Sequence, residues 1–387
     1  MRPAAAAPRR SAPAAAALLA LAVVAAPAGA ATRLILAFGD SVTAGVGDSR
    51  PAPDRGYPVR LQQLLADAGV FADVRNLGVP GETTAEGLLR IPSAIASGGQ
   101  LILLMEGTND VSRGVSPEAI AFNLREMGRL AGQRGIEPIY ATLLPRGPGD
   151  LDDPQNLRTR YVAWELRDRT YRDGAGLVDP FAVFSRTENV YARLYSDPYH
   201  PNAEGYDVLA KAFAEVLLGI DTLAPVAAFV SPADGATDVA PTSDLSFYLY
   251  DHVSGVDAAN ATMLVNGEPV AASLSSSVPR RITFTYRPPA PLANVVRLGV
   301  RARDLAPAPN QIEETLATFV VAGTSILTGD LDRDGRVDGR DLVVFAVLFG
   351  SARGDGRYEA RADFDGNGRI DGVDLAALAA NFGRSAF

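Results

Sequence analysis

Apolar and polar residues recur with two different periods between residues 32 and 220. Short apolar or β-branched runs predict five strands, which span 34–38, 74–77, 101–105, 138–143 and 177–178. Stretches with apolar residues three and four positions apart predict helices, which span 57–68, 83–97, 117–134, 155–172 and 203–218. Strands that alternate with helices are typical of a parallel sheet covered on both faces. We therefore predict an α/β domain over residues 31–221, with a doubly wound, flavodoxin-like sheet of about five strands in the order 2-1-3-4-5.

The helical period is lost after this domain. Short runs that alternate between apolar and polar residues follow, separated by Pro, Gly and Asn, and they span 244–250, 281–286 and 295–300. Such runs are typical of an antiparallel β-sandwich. The turn sequences at 251–257 and 265–267 resemble those of bacterial immunoglobulin-like modules. We predict an Ig-like sandwich over residues 222–323.

The tail of the chain carries an internal repeat, because residues 329–342 return 33 positions later as 362–375. Both copies place oxygen-bearing groups at positions 1, 3, 5, 7, 9 and 12 and a glycine at position 6, which is the spacing of an EF-hand calcium loop. The predicted ligands are Asp330, Asp332, Asp334, the carbonyl of Arg336, Asp338 and Asp341 in the first loop, and Asp363, Asp365, Asn367, the carbonyl of Arg369, Asp371 and Asp374 in the second. Carboxylates this dense repel each other without a cation, so we predict two structural Ca²⁺ ions.

The two loops resemble those of type I dockerin modules, because position 12 is Asp and a full helix is predicted after each loop. The resemblance implies a small α-helical module over residues 324–387 and a cohesin-like protein partner. Dockerins often bind cohesins through Ser or Thr at loop positions 10 and 11. Here these positions hold Gly339-Arg340 and Gly372-Val373, so a standard cellulosomal partner is not expected.

The first thirty residues have the pattern of an export signal. Positive charges at Arg2, Arg9 and Arg10 precede an apolar run at 14–26 that closes in Ala-Gly-Ala. Charged, apolar and small-residue regions in this order predict a secretory signal peptide over residues 1–30. The apolar run is shorter than the ~20 residues that span a bilayer, so no stable membrane insertion is expected. We predict a secreted, extracellular bacterial protein, with attachment to a cell surface through the tail.

Charge and cysteine content narrow the class of partner. The formal net charge is −9 and the pI is near 4.9. Nucleic acid and anionic membrane surfaces attract basic patches, so neither is expected to bind this chain. The chain has no cysteine. Because disulfides cannot stabilise the small tail module, calcium is expected to supply the folding energy there.

The candidate chemistry starts at Ser41. This residue follows the apolar run of the first predicted strand, and ligands of open α/β sheets collect outside the carboxyl ends of such strands. A serine hydroxyl becomes an effective nucleophile when a base takes its proton, and that base is usually a histidine oriented by a carboxylate. The sequence contains two histidines. His200 follows Asp197 by three residues in a loop, whereas His252 lies in a turn of the predicted sandwich without a recognisable nucleophile nearby.

Two further loops offer donors for the oxyanion of an acyl-transfer reaction. Gly81 follows the second predicted strand and Asn109 the third, and a backbone amide or a neutral side-chain amide suits this role. In the predicted strand order, Ser41 and Asn109 face one crevice at the switch point. Two alternatives stay open: Gly81 after a proline also suits a type II turn, and Asn109 also suits a loop brace. We expect Asp40 and Asp110 to brace or cap these loops.

Four motifs together resemble the sequence blocks of the SGNH (GDSL) hydrolase family of esterases and lipases. They are Gly-Asp-Ser at 39–41, the Gly81 loop, Gly-Thr-Asn-Asp at 107–110 and Asp-x-x-His at 197–200. The resemblance covers the whole predicted α/β domain. It implies Ser41 as nucleophile, His200 as base and Asp197 as its orienting acid, with no cofactor in catalysis. It also implies an oxyanion hole from the amides of Ser41 and Gly81 and the side chain of Asn109.

The predicted function is a secreted serine ester hydrolase that works through an acyl-enzyme and cleaves short acyl or acetyl esters. Residues 43–45 and 80–84 are similar to the lysophospholipase and thioesterase-like branch of the family, so lipid acyl hydrolysis is an alternative. The tail instead resembles modules of carbohydrate-active enzymes, so acylated carbohydrate and lipid both stay open as substrates. A further alternative, from another class, is a non-catalytic surface assembly protein that binds through the tail.

Overall fold

The computed structural model describes residues 32–147, 153–276, 280–322, 327–332 and 335–385. The chain divides into two compact units, and the division lies between Ile220 and Asp221. The predicted signal peptide at 1–30 and the predicted calcium ligand Asp334 lie outside the described residues.

The first unit is built on a five-stranded parallel sheet. Its strands are β1 (Arg33–Gly39), β2 (Ala72–Gly78), β3 (Leu101–Met105), β4 (Glu137–Ala141) and β5 (Gly176–Val178). They are hydrogen-bonded in the order β2-β1-β3-β4-β5. The predicted doubly wound α/β fold is thereby confirmed. The order reverses between β1 and β3, so the loops that follow these two strands diverge and leave a crevice between them.

Helices connect the strands of this unit. They are α1 (Ser41–Ala44), α2 (Tyr57–Asp67), α3 (Thr84–Ala94), α4 (Thr108–Ser112), α5 (Pro117–Gly132), α6 (Pro154–Asp173), α7 (Pro180–Ser185), α8 (Val190–Leu194) and α9 (Ala203–Leu218). The sequence pattern does not predict α1, α4, α7 or α8, because one or two turns contain too few residues to show a helical period. Among the described residues, no helix combines the length and apolar character that a membrane crossing requires.

Both faces of the parallel sheet are buried, which explains why β1 is a continuous apolar run. Ile35 and Ala37 point to the core that includes α2 and α9. Leu36 and Phe38 point to the opposite core, which includes α3 and α5. Two layers of helices therefore hold the sheet rigidly, and its carboxyl edge provides a fixed base for the loops that carry polar residues.

The second unit begins with two antiparallel sheets. Their strands are β6 (Val226–Ser231), β7 (Leu245–Tyr250), β8 (Thr262–Val265), β9 (Glu268–Val270), β10 (Ser273–Ser275), β11 (Arg281–Tyr286), β12 (Val295–Arg303) and β13 (Gln311–Val320). One sheet has the order β10-β11-β7-β6 and the other β13-β12-β8-β9. Side chains from both sheets share one core, so the predicted sandwich is confirmed. Its kinship with immunoglobulin-like modules stays a prediction. His252 stacks on Tyr250 within this sandwich.

The rest of the second unit carries α10 (Gly339–Leu348) and α11 (Gly372–Asn381). Both helices begin in the same way, with an aspartate side chain at the N-cap and a second aspartate in a capping box. Apolar side chains from the two helices and from the loops before them form a separate small core, which includes Leu331, Val337, Phe345, Ile370 and Leu378. The internal repeat of the sequence is thus a repeat of structure.

Candidate active site

Ser41, His200 and Asp197 meet at the carboxyl edge of the parallel sheet, although 159 positions separate the serine from the histidine. His200 Nε2 lies 2.9 Å from Ser41 Oγ, and His200 Nδ1 lies 2.7 Å from Asp197 Oδ2. Burial tends to raise the pKa of Asp197, but hydrogen bonds from the His200 ring and from nearby backbone amides outweigh it and lower that pKa. An ionised Asp197 therefore faces one ring nitrogen, and the serine hydroxyl faces the other.

The nucleophile position is set by the abrupt end of β1. Ser41 is the first residue of α1, and Asp40 Oδ1 caps this helix by accepting the amide of Val42 at 3.0 Å. Burial raises the pKa of Asp40 to about 6. Gly39 has no room for a side chain, because a Cβ there would lie 2.0 Å from the carbonyl oxygen of Met105. The end of β1 thus packs directly against β3 and delivers Ser41 into the crevice.

The loop after β2 is held against the end of β1. Val79 N donates to the Gly39 carbonyl at 2.9 Å. Glu82 N then donates to the Val79 carbonyl at 3.2 Å, and Gly81 between them has φ +84°, so Gly81 does lie in a tight turn. Asn109 Nδ2 donates to the Glu82 carbonyl at 2.8 Å. This brace uses one N–H of the Asn109 amide and leaves the second available for an oxyanion.

Asp110 has the bracing role expected from its loop. Its Oδ2 accepts the amide of Thr84 at 2.9 Å, and its Oδ1 accepts the Thr84 hydroxyl at 2.6 Å. Asp110 belongs to α4, whereas Thr84 opens α3. The loops that carry Gly81 and Asn109 are therefore fixed to each other by two side-chain contacts.

Glu106 is a buried acid that the sequence analysis missed. It directly follows β3 and has no solvent exposure. Its carboxyl group packs against α3 where that helix has Gly87, since a Cβ at this position would lie 2.2 Å from Glu106 Oε2. Burial, followed by the neighbouring carboxyl of Glu82 and the charge of Asp40, raises the pKa of Glu106 to about 10. Glu82 itself pairs with Arg90 Nε at 2.7 Å. Glu106 is therefore neutral at pH 7.

Arg146 is a second residue that the sequence analysis missed. It lies between β4 and α6 and is almost fully buried. Its guanidinium group donates to the Thr108 carbonyl and to Ser112 Oγ, the latter at 2.9 Å. It also lies over the ring of Tyr199, 5.3 Å from the ring centre. Arg146 thus connects the Asn109 loop to the loop that carries His200. In the sequence, Glu106 and Arg146 are marked only by being isolated charged residues that follow an apolar run.

The acidic loops ahead of α10 and α11 gather carboxylates as a cation site requires. Each loop brings one oxygen from each of three aspartates within 4.8 Å of one another, and these are Asp330, Asp332 and Asp341, and Asp363, Asp365 and Asp374. Asp363 Oδ1 is buried without a hydrogen-bond partner among the described residues. A buried carboxylate oxygen without a donor is costly unless a cation binds it. Both loops therefore suit Ca²⁺, which prefers oxygen ligands.

The other predicted calcium ligands have different surroundings. Asp338 and Asp371, at loop position 9, accept backbone amides as the N-caps of α10 and α11. Asn367 Oδ1 accepts the amide of Arg369 at 2.8 Å. Arg336 forms an isolated β-bridge, as Arg369 does. The structure thus brings positions 1, 3 and 12 of each loop together, while position 9 starts the helix.

A doubly wound sheet with a serine, a histidine and an aspartate in contact at its carboxyl edge is the arrangement of a serine-type hydrolase with an α/β fold. Residues 37–208 match the GDSL-like Lipase/Acylhydrolase family. The sequence is 34% identical over 152 residues to Esterase TesA from Pseudomonas aeruginosa, covering 39% of this chain and 69% of that protein. It is 31% identical over 194 residues to an arylesterase from Vibrio mimicus, covering 49% of this chain and 90% of that protein. The chain belongs to the GDSL-like lipase/acylhydrolase family and is a carboxylic ester hydrolase.

Two further similarities were found, one to a solved structure and one to a domain family. The structure of a lipase/acylhydrolase from Enterococcus faecalis is similar at 23% identity with a TM-score of 0.43, covering 49% of this chain and 96% of that chain. Residues 328–382 match the dockerin type I domain, which confirms the predicted dockerin module. Dockerin type I domains bind calcium, so a structural role for Ca²⁺ in the tail is supported.

Proposed function

We propose that this ester hydrolase cleaves short acyl or acetyl esters through an acyl-enzyme formed on Ser41. The observation that carries the proposal is the 2.9 Å contact between His200 Nε2 and Ser41 Oγ, with Asp197 on the opposite ring nitrogen. His200 takes the hydroxyl proton as Ser41 Oγ attacks the carbonyl carbon of the ester. Asp197 holds the proton of His200 on Nδ1 and stabilises the imidazolium that forms.

The negative charge that develops on the ester oxygen needs fixed donors. The amide of Ser41, the amide of Gly81 and the second N–H of Asn109 Nδ2 take this role in the proposal. The hydrogen bonds from Asn109 to the Glu82 carbonyl and from Asp110 to Thr84 support it, because they fix these donors before substrate binds. Donors that are already oriented need no reorganisation when the charge appears.

The second half of the reaction uses the same groups. The tetrahedral intermediate collapses, the bond to the leaving oxygen breaks, and His200 gives its proton to the departing alcohol. Water then attacks the acyl carbon while His200 Nε2 accepts a water proton, and collapse of the second intermediate returns that proton to Ser41 Oγ and frees the carboxylic acid. No redox change or cofactor enters this balance.

The proposal is tested with a panel of substrates. We expect kcat/KM to be highest for acetyl to butyryl p-nitrophenyl esters and at least about tenfold lower for acyl chains of twelve or more carbons. The names esterase and arylesterase of the two relatives support oxygen esters of this kind. The panel includes acetylated xylan, a lysophospholipid and an acyl-coenzyme A thioester. A clear preference for either of the last two supports the lipid or thioester alternative, and the absence of hydrolysis across the whole panel refutes the proposal.

The location of the enzyme is part of the same proposal. The export pattern at residues 1–30 and the dockerin domain support an extracellular enzyme that is held at a cell surface or in a complex by a cohesin-like protein. Calcium bound by the aspartates at positions 1, 3 and 12 of each loop stabilises this tail. Gly339-Arg340 and Gly372-Val373 at the dockerin contact positions support a partner outside the standard cellulosomal set.

Removal of calcium is expected to expose the tail to proteolysis and to leave esterase activity within about twofold of the untreated enzyme. The acidic loops lose the cation that offsets carboxylate repulsion, whereas Ser41, His200 and Asp197 form their contacts without a metal. The measurement is limited trypsin digestion with mass spectrometry, in EDTA and in excess CaCl₂, alongside the rate of p-nitrophenyl acetate hydrolysis. Equal protection of residues 327–385 in both conditions contradicts the calcium assignment. Loss of activity in EDTA contradicts a metal-independent mechanism.

A further inference from the structure

A third group of carboxylates lies in the β-sandwich, outside both dockerin loops. Asp221 precedes β6, Asp251 follows β7 and Asp304 follows β12, and one carboxylate oxygen from each lies within 4.8 Å of the other two. Asp251 and Asp304 are only 6% and 1% exposed. These residues are distant in sequence, so the fold itself brings them together. We call them the sandwich carboxylate cluster.

The second observation is an unsatisfied oxygen inside this cluster. Asp251 Oδ1 accepts the amides of Val253 and Gly255 at 3.1 and 2.7 Å. Both of these bonds go to Oδ1, and Oδ2 accepts no hydrogen bond from any of the described residues. In the same loop, the hydroxyl of Ser254 is buried and has no hydrogen-bond partner within the described chain. A buried hydroxyl without a partner is rare in folded proteins and indicates a missing water, ion or ligand.

The charge of the cluster is also uncompensated by protein. Within the part of the chain that the structure describes, no Arg or Lys side chain forms an ion pair with any of the three aspartates. Arg303, which precedes Asp304, is instead paired with Asp257 at 2.8 Å. Three carboxylates in so small a space repel one another. A bound cation removes this repulsion.

We propose that the sandwich carboxylate cluster binds one Ca²⁺ ion. Asp221, Asp251 and Asp304 supply the carboxylate oxygens. The side-chain amide of Asn310 lies at the same place, 2.6 Å from Asp304 Oδ2 and 3.2 Å from the Asp221 carbonyl. Rotation of this amide presents its oxygen to the ion, so that Asn310 becomes a further ligand.

The donor set favours calcium over other cations. All the candidate ligands are oxygens, which suits a hard cation, whereas zinc prefers ligand sets that contain His or Cys. Two oxygens bound to one Ca²⁺ at about 2.4 Å are at most about 4.8 Å apart. The three cluster oxygens lie within 4.8 Å of one another and so meet this limit. Calcium also accepts the irregular geometry that three separate loops provide.

A Ca²⁺ ion at this site would cross-link the two sheets of the sandwich. Asp251 follows a strand of one sheet and Asp304 follows a strand of the other, while Asp221 belongs to the segment that leads into β6. A single ion therefore joins both sheets and the start of the unit. Since the chain has no cysteine, a metal ion takes the place that a disulfide often has in extracellular sandwiches.

The test is a count of bound calcium on the full chain by plasma mass spectrometry after equilibrium dialysis against CaCl₂. Asp251→Asn keeps the shape of the side chain and removes one charge, and we expect it to bind one Ca²⁺ fewer per chain than the unmodified protein. Asp221→Asn is expected to give the same loss, and it removes the most accessible ligand if Asp251→Asn does not fold. Asp244→Asn changes an exposed aspartate of the same sandwich that pairs with Arg287, so it is the matched control.

The difference in the count does not depend on how many ions the dockerin loops bind. One ion fewer in a folded Asp251→Asn or Asp221→Asn variant, with an unchanged count in Asp244→Asn, supports the proposal. The same count in the folded cluster variants as in the unmodified chain overturns it. Thermal melting in CaCl₂ establishes that each variant is folded. In the unmodified protein we expect CaCl₂ to raise the Tm of the sandwich, and in the cluster variants we expect this increase to be lost.

Discussion

Replacement of Ser41 by alanine is expected to lower kcat by about 10⁴- to 10⁶-fold, with KM changed by less than about threefold. The hydroxyl is the atom that forms the acyl-enzyme, so its loss removes transition-state stabilisation and leaves most substrate contacts in place. His200→Ala is expected to lower kcat by a factor in the same range, because the 2.9 Å contact with Ser41 makes the two side chains act as a unit. For the same reason, the double variant is expected to be little worse than either single variant.

The measurement is steady-state hydrolysis of p-nitrophenyl acetate, with active sites counted by a serine-directed fluorophosphonate. Ser93→Ala is the matched control, because Ser93 is an exposed serine whose hydroxyl only donates to a helix carbonyl. We expect the probe to label the unmodified chain and the control on Ser41, and to leave Ser41→Ala unlabelled. Turnover of Ser41→Ala within tenfold of the unmodified enzyme contradicts the mechanism. Failure of the probe to label Ser41 in the unmodified chain favours the non-catalytic binding protein.

Glu106→Gln is expected to make the catalytic unit more stable than the unmodified protein at pH 9, and similar to it near pH 4. The pKa of Glu106 rises to about 10 in the folded protein because burial and then Glu82 and Asp40 oppose its charge, whereas an unfolded glutamate titrates near about 4.3. Between these two values the folded state binds one proton more than the unfolded state. The free energy of unfolding therefore decreases as pH rises, by up to about 1.4 kcal/mol per pH unit from this group. Gln has the shape of the neutral acid and cannot ionise, so the variant loses this slope.

The sequence offers a probe that is specific for this unit. The chain has one tryptophan, Trp164, and it lies in α6. Urea unfolding followed by Trp164 fluorescence at pH 5, 7 and 9 gives the free energy of unfolding for both proteins. Glu118→Gln, which changes an exposed glutamate at the start of α5, is the control and is expected to keep the slope of the unmodified chain. An equal pH slope in Glu106→Gln and the unmodified chain means that Glu106 is not held neutral by its surroundings.

The regular elements follow closely from the sequence pattern. The bounds of β3 and α9 are those predicted, because a run buried on both faces and a strong helical period are local signals that packing reinforces. The observed ends of other elements differ from the predicted ends for local reasons. The helix predicted over 83–97 ends at Ala94 and continues as one tighter turn to Ser97. The strand predicted over 138–143 ends at Ala141, after which Thr142 Oγ1 donates to Asp179.

Some residues of the candidate site could be predicted from the sequence, and others could not. The predicted partners of Ser41 were recognisable because each lies in a short motif at the end of a predicted strand or before a predicted helix. Glu106 and Arg146 were not recognisable, because their surroundings come from other segments: Gly87 makes room for the first, and the ring of Tyr199 packs on the second. A buried charge has no sequence signature of its own, since burial depends on what packs over it.

By itself, the sequence determined the alternation of strands and helices, the repeat in the tail and the residue types available for acyl transfer, because these depend on short-range periodicity and on spacing within single loops. Only the tertiary structure decided that His200 reaches Ser41 across the sheet, that Glu106 is neutral, and that Asp221, Asp251 and Asp304 share one small space in the sandwich. The physical reason is that distances between distant segments, and the desolvation of the groups they bring together, exist only after the chain has packed.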